Sequence, residues 1–290
     1  MNMKPTKVTA FCPGHISGYF RRVGGKSIAD TGSVGAGLVI SEGVTATATR
    51  SDTASIQVIC RASAGNILST ADDSPPLSSV MDRLGITAAV ETECRLPIGA
   101  GFGLSAAALL ATLTALDRLF ALRLTPHDIA ALAHEAEVTH RTGLGDVAAC
   151  QGGGRVVRHG PGIDAQIDRT WDLAGPVYMV SFGPIHTPSV LGSQEQMDRV
   201  AAAFPAAMPK DPEDFFRLSH QFTLDSGLAT PEVLEVLALC GKKRVPAAMT
   251  MLGNGIFASG GKAWSLLESF GEVYECTVAR TGAGIIAERE

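Results

Sequence analysis

A chain of 290 residues with 46% hydrophobic and 18% charged side chains can bury one large core or two modest ones. Its formal charge of −5 argues against a broad polyanion-binding surface, so nucleic acid is not expected as a partner; a small anionic substrate remains compatible. Six separated cysteines (Cys12, Cys60, Cys94, Cys150, Cys240 and Cys276), with no Cys-x-x-Cys pair, disfavour zinc and a disulfide framework and read as small buried fillers.

The stretch 1–8 is polar and lacks the apolar core of a signal peptide, and no uncharged apolar run is long enough to span a bilayer. A cytoplasmic protein without a membrane partner is expected. Residues 7–11 read as a short strand, after which Pro13-Gly14 and Gly18 mark a turn that would leave His15 on a loop. The run from Asp30 to Gly43 reads as a glycine-rich loop entering a strand at 38–40, followed by an alternating strand at 44–50. An ordinary hairpin would account for it, but Ser33 offers a hydroxyl beside glycines, with little to block a ligand. Residues 69–76 look like a surface loop.

Residues 90–96 alternate: Val90, Thr92, Cys94 and Leu96 share one face of a half-buried strand and Glu91, Glu93 and Arg95 the other. Pro97 stops the strand. Gly99, Gly101 and Gly103 then remove Cβ atoms where backbone N–H groups could turn toward an anion. From Leu104 to Leu116 no charged residue appears, so a buried helix is predicted, with its unpaired first-turn amides and the Ser105 hydroxyl facing the loop. A tight strand–helix connection is the plainer reading. Two nucleotide signatures are excluded by spacing. The Rossmann pattern fails because Leu104, or Ala106 in the other register, stands where its third glycine belongs; the Walker pattern fails because Phe20 stands five residues before Gly25-Lys26-Ser27.

Thr125-Pro126-His127-Asp128 is a strong helix start, and Ile129, Leu132, Ala133 and Ala136 continue at helical spacing until Gly143. Glu135 and Glu137 near that end are unusual, because a helix C-terminus disfavours negative charge. The compensating cation is either a metal or Arg141, four residues past Glu137. His134 and His140 cannot share an ion, since six helical residues set them about 120° apart. A loop carrying Asp146 and the triple glycine 152–154 follow, then a strand-like Arg155-Val156-Val157-Arg158 in which either arginine could be the outward one. The polar stretch 164–172 suits a boundary. Beyond it a strand is expected at 177–182, helices near 190–204, 212–225 and 231–239, and a late strand near 274–279. Gly253-Asn254-Gly255 is either a plain turn or the piece that closes a phosphate cleft.

The order Pro97-Ile98-Gly99-Ala100-Gly101-Phe102-Gly103-Leu104-Ser105-Ala106-Ala107 resembles Pro-x-Gly-x-Gly-Leu-Gly-Ser-Ser-Ala-Ala. That is the second motif of the GHMP kinases, the superfamily of galactokinase, homoserine kinase, mevalonate kinase and phosphomevalonate kinase. Phe102 stands for the leucine and Leu104 for the first serine, which leaves one hydroxyl where most members have two. The words Pro-Gly-His-Ile-Ser-Gly-Tyr-Phe, Thr-Gly-Ser-x-Gly-Ala-Gly, Ala-Glu-Val with Thr-Gly-Leu-Gly-Asp-Val, and Met251-Leu252-Gly253-Asn254 resemble the archaeal pantoate kinases of that superfamily, over roughly 8–258.

The resemblance implies an α+β, two-domain GHMP-kinase fold. A ribosomal-protein-S5-like domain (1–169) would carry the phosphate loop and carboxylates, and a ferredoxin-like α+β domain (170–290) would complete the cleft. It implies ATP held by Pro97, Gly99, Ala100, Gly101, Phe102, Gly103, Leu104, Ser105 and Ala106, and Mg2+ held by Ser105 and Glu137, with Glu135 as the fallback. Asp146 would orient the acceptor hydroxyl and accept its proton, completing a catalytic set with Glu137 and Ser105; His15, Ser33 and Arg158 would meet the acceptor, the arginine at its carboxylate. The implied reaction moves the γ-phosphoryl group of ATP to the primary hydroxyl of pantoate, in coenzyme A biosynthesis. Mevalonate or homoserine as acceptor, or a noncatalytic ligand-binding protein, are the alternatives, and a homodimer is left open.

Overall fold

The computed structural model describes residues 5–62 and 64–290, so the opening of the polar stretch 1–8 lies outside the described residues. The first strands are far longer than expected. Strand β1 (Lys7–Val23) and strand β2 (Gly32–Arg50) form one antiparallel hairpin, and the Pro13-Gly14 and Gly18 positions lie inside β1 rather than in a turn. Those breakers instead sit beside register shifts at Pro13/Gly14 and Ser17/Tyr19, where a bulge tolerates a residue without a ladder N–H and bends the strand. The 30–43 run is likewise strand from Gly32 onward.

Strand β3 (Ser55–Arg61) and strand β4 (Ile67–Ala71) follow, so part of the expected 69–76 loop is an edge strand. Next come helix α1 (Pro75–Leu84) and strand β5 (Ala88–Cys94), whose burial alternates as the sequence pattern requires. Helix α2 (Leu104–Phe120), helix α3 (Pro126–His140) and the short α4 (Asp146–Cys150) lead to β6 (Arg155–Arg158) and β7 (Ile167–Thr170), the latter within the expected boundary stretch. Among the described residues the first sheet runs β12-β1-β2-β5-β3-β4, where β12 (Gly284–Arg289) is the last strand of the chain, and β6 with β7 extends from the far half of β2.

The second sheet is formed by β8 (Val177–Gly183), β9 (Ala247–Met249), β10 (Asn254–Ser259) and β11 (Val273–Cys276) in the order β11-β8-β10-β9. Its connections carry α5 (Thr187–Gly192), α6 (Gln194–Ala203), α7 (Pro212–Asp225), α8 (Pro231–Lys243) and α9 (Ala263–Leu267). This is a ferredoxin-like β-α-β-β-α-β order with extra helices in the first crossover. Sheet membership changes after Thr170, and β12 returns from the far end of the chain to pair with β1.

Two cores divide β1 between them. Its first half, with Val8, Ala10 and Cys12, packs with Val44 and Ala46 under Leu109, Leu113 and Leu116 of α2. Its second half, with Ile16, Tyr19 and Phe20, joins Met179, Phe215, Phe222 and Phe257 of the second sheet and its helices. The bend between the halves therefore lies where the two layers meet. All six cysteines are free and buried, and no helix among the described residues is long and apolar enough to cross a membrane.

Candidate active site

At this junction a cavity of about 300 Å3 is lined by the glycine loop, Glu137, Asp146, Ser33 and a rim from the second sheet's connections. The loop conformation depends on its glycines: Gly99, Gly101 and Gly103 have φ of 79°, 83° and 61°, values that L side chains adopt only with strain. Gly103 caps α2 without any side-chain hydrogen bond, so the first amides of that helix remain open to an anion. The loop is clamped from two sides. The Phe102 carbonyl accepts the His15 amide at 3.0 Å, and a Cβ on Gly101 would stand within 2.9 Å of the Met251 and Thr250 carbonyls.

Of the residues expected to hold ATP, Gly99, Gly101, Phe102, Gly103, Leu104 and Ser105 line the cavity; Pro97, Ala100 and Ala106 do not. Ala100 and Ala106 are fully buried: the Gly253 backbone closes over Ala100, and Ala106 lies on the face of α2 that packs into the first core. The Gly253 turn thus lies on the glycine loop, with Met251 and Leu252 on the cavity wall, while the Asn254 side chain accepts the Thr230 hydroxyl at 2.8 Å. Leu104, in place of the family's first serine, packs against both cores and so joins α2 to the second layer.

The two candidate glutamates lie on different faces of α3. Glu135 is 38% exposed and pairs with Arg83, away from the cavity. Glu137 is 1% exposed and lines the cavity, and its partner is Thr142, whose hydroxyl donates to Oε1 at 3.2 Å, rather than Arg141. Burial first, then the neighbouring Asp146 charge, pushes the Glu137 carboxyl up to about 8, against the Ser105 and Thr142 hydroxyls. Among the described residues its Oε2 is buried without a hydrogen-bond partner. One orphaned carboxylate oxygen beside a serine hydroxyl suits a hard divalent cation that takes most of its ligands from phosphates and water, as Mg2+ does. Among the described residues no group of three or more His, Cys, Asp or Glu could cage a metal by itself.

Asp146 opens α4 and faces the cavity with its side chain 20% exposed. Burial opposes its ionisation, but the His15 hydrogen bond and the Arg158 charge outweigh it and hold the carboxyl below its usual range. His15 is no loop histidine. It is fully buried in β1, with Nδ1 2.7 Å from Asp146 Oδ1. Burial lowers its proton affinity more than Asp146 raises it.

Arg158 is 1% exposed and does not reach the cavity; neither does His15. Arg158 Nη2 donates to Ser33 Oγ at 3.4 Å, and of these three only Ser33 lines the cavity. Arg155, on the opposite face of β6, pairs with Asp172 at 2.6 Å. Among the described residues no lysine or arginine lines the cavity. Sequence reasoning missed Ser17, Thr142 and His186; the last arrives on a segment whose Ile185 amide bonds the Gly99 carbonyl at 3.0 Å, a contact without local sequence signal.

A family model for the GHMP kinases N terminal domain matches residues 76–154. A pantoate kinase of Methanospirillum hungatei is 44% identical over 98% of both chains. The chain belongs to the GHMP kinase family. Another relative of this GHMP kinase, the pantoate kinase of Thermococcus kodakarensis, is 32% identical over 87% of each chain. Among solved structures, one described as a phosphotransferase related to the CoA biosynthesis pathway superposes with a TM-score of 0.77 at 26% identity, covering 97% of this chain and 98% of its own.

Proposed function

We propose that this GHMP kinase transfers the γ-phosphoryl group of ATP to the primary hydroxyl of pantoate, giving 4-phosphopantoate. The observation that carries the reaction is the shared cavity: the start of α2 with its open amides, the buried carboxyl of Glu137 and the oriented carboxylate of Asp146 line one space. Phosphoryl transfer needs positioning and charge neutralisation more than covalent chemistry, and this set supplies both. Pantoate as the acceptor is supported by similarity, over 98% and 87% of the chain, to two proteins described as pantoate kinases.

In this reading the amides of 99–105 hold the phosphates, and Glu137 with Ser105 holds Mg2+, which when bound neutralises charge on the β- and γ-oxygens. Asp146 accepts the hydrogen bond of the acceptor hydroxyl and then its proton. With no cation on the cavity wall, the acceptor carboxylate is met by the Ser33 hydroxyl, backed by the Arg158 charge. The test is ADP release with ATP and Mg2+ across pantoate, mevalonate and homoserine. Turnover with pantoate alone is expected; a faster reaction with another acceptor overturns the assignment.

A further inference from the structure

Arginine can only donate hydrogen bonds, and this fixes the groups around Arg158. Its Nη1 lies 3.4 Å from His15 Nε2, so that nitrogen must present a lone pair. The single ring proton of a neutral imidazole then sits on Nδ1, where it is donated to Asp146 Oδ1 at 2.7 Å. Nη2 faces Ser33 Oγ in the same way, which leaves the serine's own proton to point elsewhere, and Ser33 is the member that lines the cavity.

Three glycines make room for this arrangement. A Cβ on Gly37 would stand 2.2 Å from His15 Nε2, and one on Gly145 would stand 2.4 Å from Ser33 Oγ and 2.9 Å from Arg158 Cζ. Gly103 lies over the His15 backbone, 3.0 Å from its carbonyl by the same measure. Backbone at Gly37 and Gly145 therefore confines the ring and the guanidinium to this pose, and Gly103 packs on the backbone that carries the ring. Among the described residues the Arg158 Nε is buried without a hydrogen-bond partner, so the guanidinium is oriented through its Nη contacts to His15 and Ser33. The charged groups felt at His15 are Asp146, Arg158 and Arg169; burial and the two arginines lower its proton affinity, against the pull of Asp146.

We propose that Arg158 is a positioning residue that sets the direction of two proton donors: it holds His15 as the neutral Nδ1–H tautomer that aims Asp146, and it turns the Ser33 hydroxyl toward the acceptor. Asp146 Oδ1 is thereby occupied, and Oδ2 is left for the acceptor hydroxyl. The inference rests on the reading of Asp146 as the group that receives that hydroxyl.

The direct test is nitrogen-15 NMR of the full chain with labelled histidine, His15 being assigned by the resonances lost in His15→Asn. At neutral pH a pyridine-type Nε2 and a pyrrole-type Nδ1 are expected; a pyrrole-type Nε2 overturns the proposal, and this measurement needs no variant other than the assignment control. Arg158→Met, which leaves the Nδ1–Asp146 hydrogen bond in place but removes the donor to Nε2, should shift the His15 Nε2 resonance and lower kcat about tenfold or more, the scale seen when an orienting partner is removed, with KM for the acid raised and KM for ATP unchanged. A rise in acid KM alone, with kcat and the His15 signature intact, would make Arg158 a plain substrate-binding residue and end the proposal. His15→Asn, whose amide nitrogen falls near the place of Nδ1, should retain more kcat than His15→Gln, whose nitrogen falls near Nε2; equal losses contradict it. Full turnover by Asp146→Asn would instead overturn the reading beneath it, while the wild-type spectrum still decides the tautomer.

Discussion

Gly37 on β2 faces His15 on β1 so closely that a Cβ built there would stand 2.2 Å from the imidazole Nε2 and 2.4 Å from the Ile16 carbonyl. A glycine in mid-strand weakens a sheet unless something must lie against its bare Cα. Here the histidine that holds Asp146 does so. Gly37→Ala should therefore cost about 1–3 kcal/mol in urea unfolding, the usual penalty of overpacking, and displace the ring from Asp146. Wild-type stability with wild-type kcat would show that the ring has room to yield.

Asp146→Asn keeps the shape of the side chain and removes its basicity. If the carboxylate accepts the acceptor's proton, kcat should fall about 10²–10⁴-fold while the KM for ATP stays near its wild-type value, because the glycine loop is untouched. Steady-state kinetics with each substrate varied in turn distinguishes this from a loss of nucleotide binding, which would appear as a raised ATP KM.

Much of the fold was legible where one period governs a segment. The alternation at Val90, Thr92 and Cys94 marks β5, and Pro212 and Pro231 mark the starts of α7 and α8. It failed where glycine and proline serve packing rather than turning. Pro13 and Gly14 lie at a bulge of β1, and a Cβ on Gly14 would stand 2.6 Å from the Phe102 carbonyl, a requirement visible only once the glycine loop lies against the strand. The pairing of β12 with β1 joins opposite ends of the chain and leaves no local signal. In the site, the motif words point to Glu137, Asp146, His15, Ser33 and Arg158, but burial is a property of the assembled layers. Thus the layer order, in which Arg158 stands behind Ser33 rather than in the cavity, has no counterpart in the sequence.

Helix α3, which delivers Glu137, begins with a reciprocal cap: the Asp128 amide donates to Thr125 Oγ1 at 3.1 Å and the Thr125 amide donates to Asp128 Oδ2 at 2.8 Å. Thr125→Ala should lower stability by about 1 kcal/mol, as N-cap removal generally does. Its turnover at a temperature well below unfolding should match wild type, since Glu137 lies three turns away beside the αL cap at Arg141. Thermal unfolding and kcat measured on the same preparation check both parts; a large loss of kcat would mean that the cap also sets the angle of the helix toward the cavity.

The buried Glu137 makes the stability of the free protein depend on pH in an unusual direction. Burial, and after it the Asp146 charge, raises its carboxyl to about 8, so the folded protein retains a proton that the unfolded chain releases above the ordinary glutamate value of 4.5. Between those values the native state binds more protons than the unfolded state, and stability falls as pH rises. The contribution is complete below the lower value, declines with a limiting slope of about 1.4 kcal/mol per pH unit, and levels off above the upper one. Glu137→Gln, which cannot ionise, should be less destabilised than wild type on going from pH 5 to pH 8 (about three pH units) in a metal-free buffer. A cation beside the carboxylate favours the ionised form, so ATP with Mg2+ should flatten the wild-type slope and leave that of the variant unchanged. Melting temperatures across this range, for both proteins with and without the nucleotide and metal, carry the comparison. Parallel curves would mean that Glu137 is already ionised in the free fold and that its orphaned oxygen has a partner in solution.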